Sequence, residues 1–537
     1  MLYPNDIYDK FSKIPFLKLL PPLILGVIVA DSVNFNVLTL LAVYALFLVG
    51  FIIFRRETPH RIFSFLLIFF IGMTSVKVLA PEEDIPQNVR IIAECKITDN
   101  LVNKGKWQNT TAKVEAYRLA SLYDTVWQKS NEYIILYIDS TYKVSIGDNI
   151  TCYLYVNPLD TVGGQSGYAR TMRSRGYLGR AYVSAGNILY KTKYAPETFW
   201  QEIIFASKRV QRVLNRRIIE NKEEARDSGV AMALLTGDKQ LLDSNIREAY
   251  SKAGFSHVLA ISGLHLGIIF LFLNFFLSPL LFVRKGKIIR TIMIIIILWT
   301  YCFITGLSAS VMRSAFMLSL MQISFLTTRN YNSYNALFSS AFVLILVNPY
   351  FIYDMSFQMS YLAILTILFF FPRLKRWSRA DKVEYWLLNR SKGEQGFKKF
   401  IFLGARRGFQ FVTGAILVGI SAQIGVTPIT GYFFGIFPLL NIFINPIIMV
   451  LMMQIMFMGF IYLTIFDTPA GTLVGEIFST LISALNNVVE WTSSFRVASI
   501  EYGNLSLIGL YISYAVIILI MIIIKWFEYR KIRLAHV

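Results

Sequence analysis

The sequence predicts a polytopic α-helical membrane protein carrying a small extracytoplasmic β-barrel domain of OB-like type. Three observations predict it. The 537-residue chain is 55% hydrophobic and 15% aromatic, with a mean hydropathy of +0.52, beyond the range of an ordinary soluble domain. Apolar runs long enough to cross a bilayer recur from Leu20 to Ile524, which gives roughly ten to twelve spans. One stretch, from Pro81 to about Tyr194, breaks that pattern with polar sequence and short alternating apolar runs.

The first unit, 1–80, holds three spans at 16–30, 37–54 and 62–79. No small-residue cleavage site follows the first, so it is expected to be retained. The second unit, 81–195, contains β-like runs at 89–97, 111–117, 132–139, 149–156 and 180–190. Val89, Ile91, Ala93, Cys95 and Ile97 alternate as one apolar set, as do Ile150, Cys152, Leu154 and Val156. Five short strands with long loops suit a small Greek-key barrel such as the OB-fold. Cys95 and Cys152 both fall on inward sets. A location outside the cytoplasm permits a disulfide between them, and two buried free thiols are the alternative.

The third unit, 196–255, opens with a basic amphipathic helix over 196–221, in which Lys208, Arg209, Arg212, Arg216 and Arg217 oppose Ile203, Val210, Val213 and Leu214. Such helices commonly lie on a membrane surface. The turn Gly237-Asp238-Lys239 and a short helix over 243–253 follow. The fourth unit, 256–537, holds the remaining spans, with those between Gly431 and Trp491 the least certain in number.

The formal charge of +20 is distributed unevenly. Basic groups lie around Arg55–Arg61, Arg284–Arg290, Arg373–Arg407 and Lys525–Arg533. The positive-inside rule predicts that all four groups and both termini are cytoplasmic. Their charge sets topology and meets anionic lipid, or also meets nucleic acid.

The run Phe255-Ser256-His257-Val258-Leu259-Ala260-Ile261-Ser262-Gly263-Leu264-His265-Leu266-Gly267 begins an apolar stretch continuing to Val283 and holds two of the four histidines. Polar groups inside a bilayer are costly and face a partner or a wet path. On one helix, His257, His265 and Ser262 would fall at about 0°, 80° and 140°, with Gly263 and Gly267 near 240–280°. That gives a polar side and a small-xxx-small packing side. The polar side suits a pore wall, and it suits interhelical hydrogen bonding equally. Arg313, within Thr305-Gly306-Leu307-Ser308-Ala309-Ser310-Val311-Met312-Arg313, needs carbonyls, an acid or water, or else snorkels to the interface. Asp354 and Gln358 stand where another span begins. Pro428 in the run from Ser421, and Pro446 in the run from Asn441, bring helix breaks into apolar surroundings.

These blocks, in this order, resemble the ComEC competence family, inner-membrane channel proteins that import single-stranded DNA during natural transformation. The resemblance extends from Gly163-Gly164-Gln165-Ser166-Gly167-Tyr168-Ala169-Arg170 and Arg175-Gly176-Tyr177-Leu178-Gly179-Arg180 through Leu234-Leu235-Thr236-Gly237-Asp238 to the histidine block. It implies a DNA channel in the inner membrane. His257, Ser262, His265, Arg313 and Gln358 are then the candidate lining, with Asp238 and Asp354 at its polar mouth. Arg170, Arg173, Arg175, Tyr177 and Arg180 are candidates for holding the strand on the outer domain.

Longer members resemble a channel joined to a metallo-β-lactamase-like domain thought to degrade the non-transported strand. Only His536 follows His265 here, so strand degradation is expected of a separate nuclease. No phosphate-loop motif occurs. Partners implied are a DNA receptor and a cytoplasmic motor or single-strand-binding protein, besides membrane lipid. No cofactor or metal is expected, since two histidines without cysteines fall short of a usual site.

Two other functions stand beside this one. An intramembrane serine hydrolase would use Ser262 with a histidine, but no oxyanion site or orienting group is evident. A small-solute transporter would use the broken helices. The leading expectation is a conduit, not an enzyme.

Overall fold

The computed structural model describes residues 14–32, 43–45, 47–48, 57–79, 85–104, 106–120, 126–159, 172, 176–193, 199–220, 225–327, 331–378, 380–392, 397–495, 499–501, 503 and 505–535. Two apolar helices open the described chain, α1 (Pro15–Ser32) and α2 (Glu57–Leu79), at the first and third predicted spans. Most of the second, 37–54, lies outside the described residues.

The polar unit folds as one nine-stranded sheet: β1 (Arg90–Ile97), β2 (Val102–Lys104), β3 (Trp107–Leu119), β4 (Gln128–Lys129), β5 (Tyr133–Asp139), β6 (Asp148–Tyr155), β7 (Asn157–Pro158), β8 (Tyr177–Val183) and β9 (Ile188–Lys193). The hydrogen-bonded order is β7-β8-β5-β3-β1-β6-β9, with β2 and β4 on β3. Only the β5–β8 pair is parallel among these. The path ends at β7 and β9 without closing, so the pairing by itself gives an open sheet. The predicted strand over 180–190 is in fact two, β8 and β9, because a short 3-10 turn at Ala185–Asn187 divides it.

Alternation places the core as expected. Ile91, Ala93, Cys95 and Ile97 of β1 and Ile150, Cys152 and Leu154 of β6 are buried together with Ile134, Leu136 and Ile138 of β5. Val89 precedes the strand and is exposed.

Below the sheet come α3 (Phe199–Ile219), α4 (Ala225–Leu235) and α5 (Ser244–Lys252). In α3 the polar Ser207, Gln211 and Asn215 are buried, whereas Phe199, Trp200, Val210 and Val213 are exposed. The helix therefore turns polar groups inward. Lys208 Nζ meets Asp99 Oδ1 at 2.7 Å, and Arg212 Nη2 donates to Asn100 Oδ1 at 3.1 Å, so α3 joins the sheet to the helices.

The membrane body continues with α6 (Gly263–Phe276), α7 (Gly286–Ile304), α8 (Ala309–Thr327), α9 (Ser333–Val347), α10 (Met355–Trp377), α11 (Ala380–Lys392) and α12 (Phe397–Phe434). After the short β10 (Ile436–Pro438) come α13 (Asn441–Ile465) and α14 (Pro469–Ser494), then β11 (Ser499–Glu501) and α15 (Leu507–Ala535). Seven of these helices are long and apolar enough to cross a membrane: α7, α8, α10, α12, α13, α14 and α15. The stretch between Gly431 and Trp491 thus holds two spans.

Shorter apolar helices lie at Pro15–Ala30, Ile62–Val78, Gly263–Phe276 and Ser333–Val347. One core gathers α4 to α8 with α13 and α14, and a second gathers α1, α2, α9 and the start of α10. Helix α15 exposes most of its apolar surface and is held by Glu528, which pairs with Arg373 at 2.9 Å and Arg376 at 3.0 Å.

Cys95 and Cys152 are free thiols on adjacent strands, where Cys152 pairs with Ala93 and Cys95 with Ile150. The hydrogen-bonding Cys152 sulfur and burial push the Cys95 thiol well above its usual pKa. Both thiols should resist maleimide under native conditions and react on unfolding, a difference that mass spectrometry reads directly. Native labelling of either would show that the sheet core is open.

Candidate functional site

The polar block does not form one helix. Helix α6 starts at Gly263, and Ser262 is its N-cap, with Oγ accepting from Leu264 N at 3.3 Å. His265 at the third helical position completes a capping box: its Nδ1 accepts the Ser262 N–H at 3.2 Å and lies 3.2 Å from Ser262 Oγ. A residue that takes an N–H at Nδ1 carries its proton on Nε2 when neutral. That Nε2 is buried without a partner. His265 has no accessible surface, so it supports the start of the helix rather than facing a path.

His257 lies upstream, in irregular backbone, which overturns its predicted place on a shared helical face. A capping serine needs extended backbone, and that ends any helical register before Gly263. His257 Nδ1 donates to Gly254 O at 3.2 Å, and Asn441 Nδ2 donates to the same oxygen at 2.7 Å. The imidazole itself is exposed.

The predicted packing side holds in part. A Cβ on Gly263 would sit 2.6 Å from Ser314 Oγ and 3.1 Å from Arg313 Nη2, so any larger residue would displace these two side chains. Nothing lies within 4 Å of the corresponding point on Gly267.

Arg313 is the centre of the site. It is 3% exposed and bonds Ser360 O through Nη1 and Ser314 Oγ through Nη2, the latter at 3.2 Å. Its Cζ stands 5.6 Å from the Tyr361 ring centroid, and Tyr361 OH meets Ser340 Oγ at 2.9 Å. Ser310 Oγ and Ser360 Oγ are 2.9 Å apart. Among the described residues no carboxylate pairs with Arg313, and its Nε has no partner. A buried cation normally has an anion. Here the first turn of α6 adds the positive end of a helix dipole beside it.

Asp238 belongs to a separate but adjoining cluster. Asn215 Nδ2 donates to its Oδ2 at 2.7 Å and Gln240 N to its Oδ1 at 3.0 Å. Thr236 Oγ1 donates to Asn215 Oδ1 at 2.6 Å, and Gln211 Nε2 to Thr236 O at 2.8 Å. A Cβ on Gly237 would meet Ile261 Cδ1 at 2.9 Å, so this turn rests on the residue preceding the α6 cap. Burial, with the charge of Asp99, raises the Asp238 carboxyl above the usual carboxylate range.

Asp354 and Gln358 serve their own turn. Asp354 caps α10, accepting from Ser356 N at 2.8 Å and Phe357 N at 3.1 Å, and Gln358 Nε2 donates to Ile352 O at 2.7 Å. On the sheet, Tyr177 and Arg180 both lie on β8, whereas Arg170, Arg173 and Arg175 lie outside the described residues.

Sequence reasoning missed the serines around Arg313, together with Ser340 and Tyr361. Ser310, Ser314 and Ser360 each sat within or beside a motif already noticed, but only the helix crossing brings them onto one guanidinium.

The arrangement gathers a guanidinium and hydroxyl donors with no acid among the described partners. Ser262 and His265 touch, as a nucleophile and base would, yet the Nδ1 facing the serine is held by the cap, and no acid orients Nε2. No group of three or more metal-ligating side chains occurs among the described residues.

The competence protein family profile matches residues 234–527, from the Asp238 turn into α15. The chain belongs to this family. The α6 cap, Arg313 and the Asp354 turn all fall inside the family match, whereas the sheet and α3 precede it. ComE operon protein 3 of Bacillus subtilis (strain 168) is 30% identical over 166 residues, 31% of this chain and 20% of that protein. An uncharacterized protein of Aquifex aeolicus (strain VF5) is 32% identical over 151 residues, 27% of this chain and 35% of its own length. The chain thus matches well under two thirds of either relative. No solved structure matches it.

Ser262→Ala removes the α6 cap and should cost about 1 kcal/mol of stability in thermal unfolding, with Ser262→Thr close to wild type. The Asp238 sign is opposite to that of a salt-bridged acid. Its folded pKa is raised, so the fold holds the proton more tightly and ionisation opposes folding. As pH rises from about 4 to about 7, wild type should lose stability relative to Asp238→Asn. A pH-independent difference between the two melting curves would contradict this.

Proposed function

We propose that this protein is the inner-membrane conduit that imports single-stranded DNA during natural transformation. The observation that carries it is Arg313, a buried guanidinium without a carboxylate, set against the first turn of α6. A strand crossing a bilayer brings one negative phosphate per nucleotide, and that charge must be met inside by fixed donors with few acids nearby. Arg313, the α6 N-terminus and the surrounding serine hydroxyls supply such donors. Membership of the competence family supports the substrate.

His257, Ser262 and Arg313 are assigned to the path, with Gln358 beside it and the Asp238 and Asp354 turns shaping its mouth. Arg313 is nearly enclosed, so passage at that level requires α8 to part from α6 and α10. The broken backbone before Gly263 fits such a role, because irregular chain at membrane depth is tolerated where it lines a cavity or is buried in protein.

The four basic groups support cytoplasmic termini and an outward-facing sheet domain. We assign that domain an OB-like architecture. β6 and β7 are separated only by Val156, and β7 pairs with β8 while β6 pairs with β1. The segment 148–158 therefore pairs with both ends of the row β1-β3-β5-β8, the order a five-stranded OB barrel would use. The nuclease, DNA receptor and cytoplasmic motor or strand-binding protein are assigned to other chains.

Deleting the gene should abolish cytoplasmic arrival of labelled transforming DNA. Normal arrival in the deletion strain sinks the proposal and favours a solute transporter. Arg313→Gln should cut uptake at least tenfold at unchanged membrane abundance, with Arg313→Lys intermediate. Loss of abundance in both variants would mark Arg313 as a folding residue only.

A further inference from the structure

We infer that the outer face of β3, β5 and β8 is a base-stacking platform for single-stranded nucleic acid, centred on Tyr182 with Tyr137 and Trp107. The inference rests on the reading that the chain handles single-stranded DNA, and it adds where the bases are held.

Strand alternation creates the platform. On β8, Ala181 and Val183 are buried in the sheet core, which turns Arg180 and Tyr182 outward. On β5, Ile134, Leu136 and Ile138 are buried, which turns Tyr133 and Tyr137 outward. On β3, Thr110, Ala112 and Val114 are buried, which turns Lys113 outward on the same face.

Register then brings the rings together. Tyr137 pairs with Tyr182 across the parallel β5–β8 ladder, and their ring centroids are 4.6 Å apart with planes at 14°. Trp107 stands edge-on to Tyr182 at 5.5 Å and 76°. Tyr182 is 42% exposed, so its ring still offers surface to solvent. A tyrosine pair whose only task was sheet stability would be satisfied by the stacking already present. Here the cluster presents aromatic surface at the domain exterior, outside the core.

The charges around it match a polyanion. Lys106 Nζ lies 5.9 Å from the Trp107 ring centroid. Arg180 lies two residues from Tyr182 on the same face, and Lys113 pairs in register with Tyr133. The nearest acid by register is Asp139, opposite Trp107, and its Oδ1 accepts from Thr141 N at 3.0 Å and Thr141 Oγ1 at 2.8 Å. Aromatic faces flanked by Arg and Lys are the combination that holds single strands without sequence preference, because every base has a face to stack and every nucleotide a phosphate. A duplex keeps its bases stacked on each other and cannot use the rings.

The test uses the full-length protein in nanodiscs of uncharged lipid and fluorescence anisotropy with three probes: oligo-dT, an abasic strand of equal length, and a duplex. Tyr182→Ala and, separately, Trp107→Ala should each weaken oligo-dT binding about tenfold, leave the abasic strand within about twofold, and keep a cooperative thermal transition. Tyr182→Phe should bind as wild type. Unchanged oligo-dT binding in both alanine variants overturns the platform, as does equal weakening of the oligo-dT and abasic strands. The outcome is separable from that of the conduit. Normal oligo-dT binding by both variants, with uptake lost on gene deletion, removes the platform and keeps the conduit. Ring-dependent binding by a protein whose deletion leaves uptake intact does the reverse.

Discussion

A helix that starts inside a packed membrane protein has first-turn N–H groups with no intrahelical acceptors, and the centre of this molecule is organised around that constraint at α6. Ser262 and His265 answer it by capping each other's backbone. The solution has consequences in both directions along the chain. Upstream, Ser262 must be extended, so the backbone carrying His257 cannot be helical. Downstream, Gly263 leaves room for α8 to press Ser314 and Arg313 against the helix start. At 14 residues, α6 is about 21 Å long, short of the roughly 30 Å of a bilayer core.

Arg313 turns this packing arrangement into a chemical one. Its guanidinium meets a carbonyl, a serine and an aromatic face, none of which cancels its charge, and its Nε is left without a partner. Two positive features, a cation and a helix N-terminus, therefore share one buried neighbourhood. Most proteins avoid that unless an anion passes or resides there.

The spans and the strand alternation were legible because both are periodic. Apolar runs betrayed the helices, and the inward set of β1 and β6 reads directly from every second residue. The sheet order was only half legible. Its strands are local, but the parallel pairing of β5 with β8 joins segments far apart in sequence. At the site, Arg313 stood out because a charge in an apolar run is conspicuous. The shared helical face of His257, Ser262 and His265 was a misreading, since 3.6-residue periodicity was projected through a serine that caps. The serine cluster could not be seen at all, because it exists only where α8 crosses α10. The aromatic face of the sheet escaped for the same reason: Trp107, Tyr137 and Tyr182 are far apart in sequence and meet through register.

Helix α3 carries its polar residues inward, and this has a mechanical consequence. One end of its polar stripe grips the sheet domain through Lys208 and Asp99. The other grips the Thr236–Asp238 turn through Gln211 and Asn215, and that turn lies on Ile261. The sheet domain and the start of α6 are therefore joined by one chain of side-chain contacts. A force that tilts the sheet domain must either break the Lys208–Asp99 pair or lift the turn from Ile261, one residue before the helix cap.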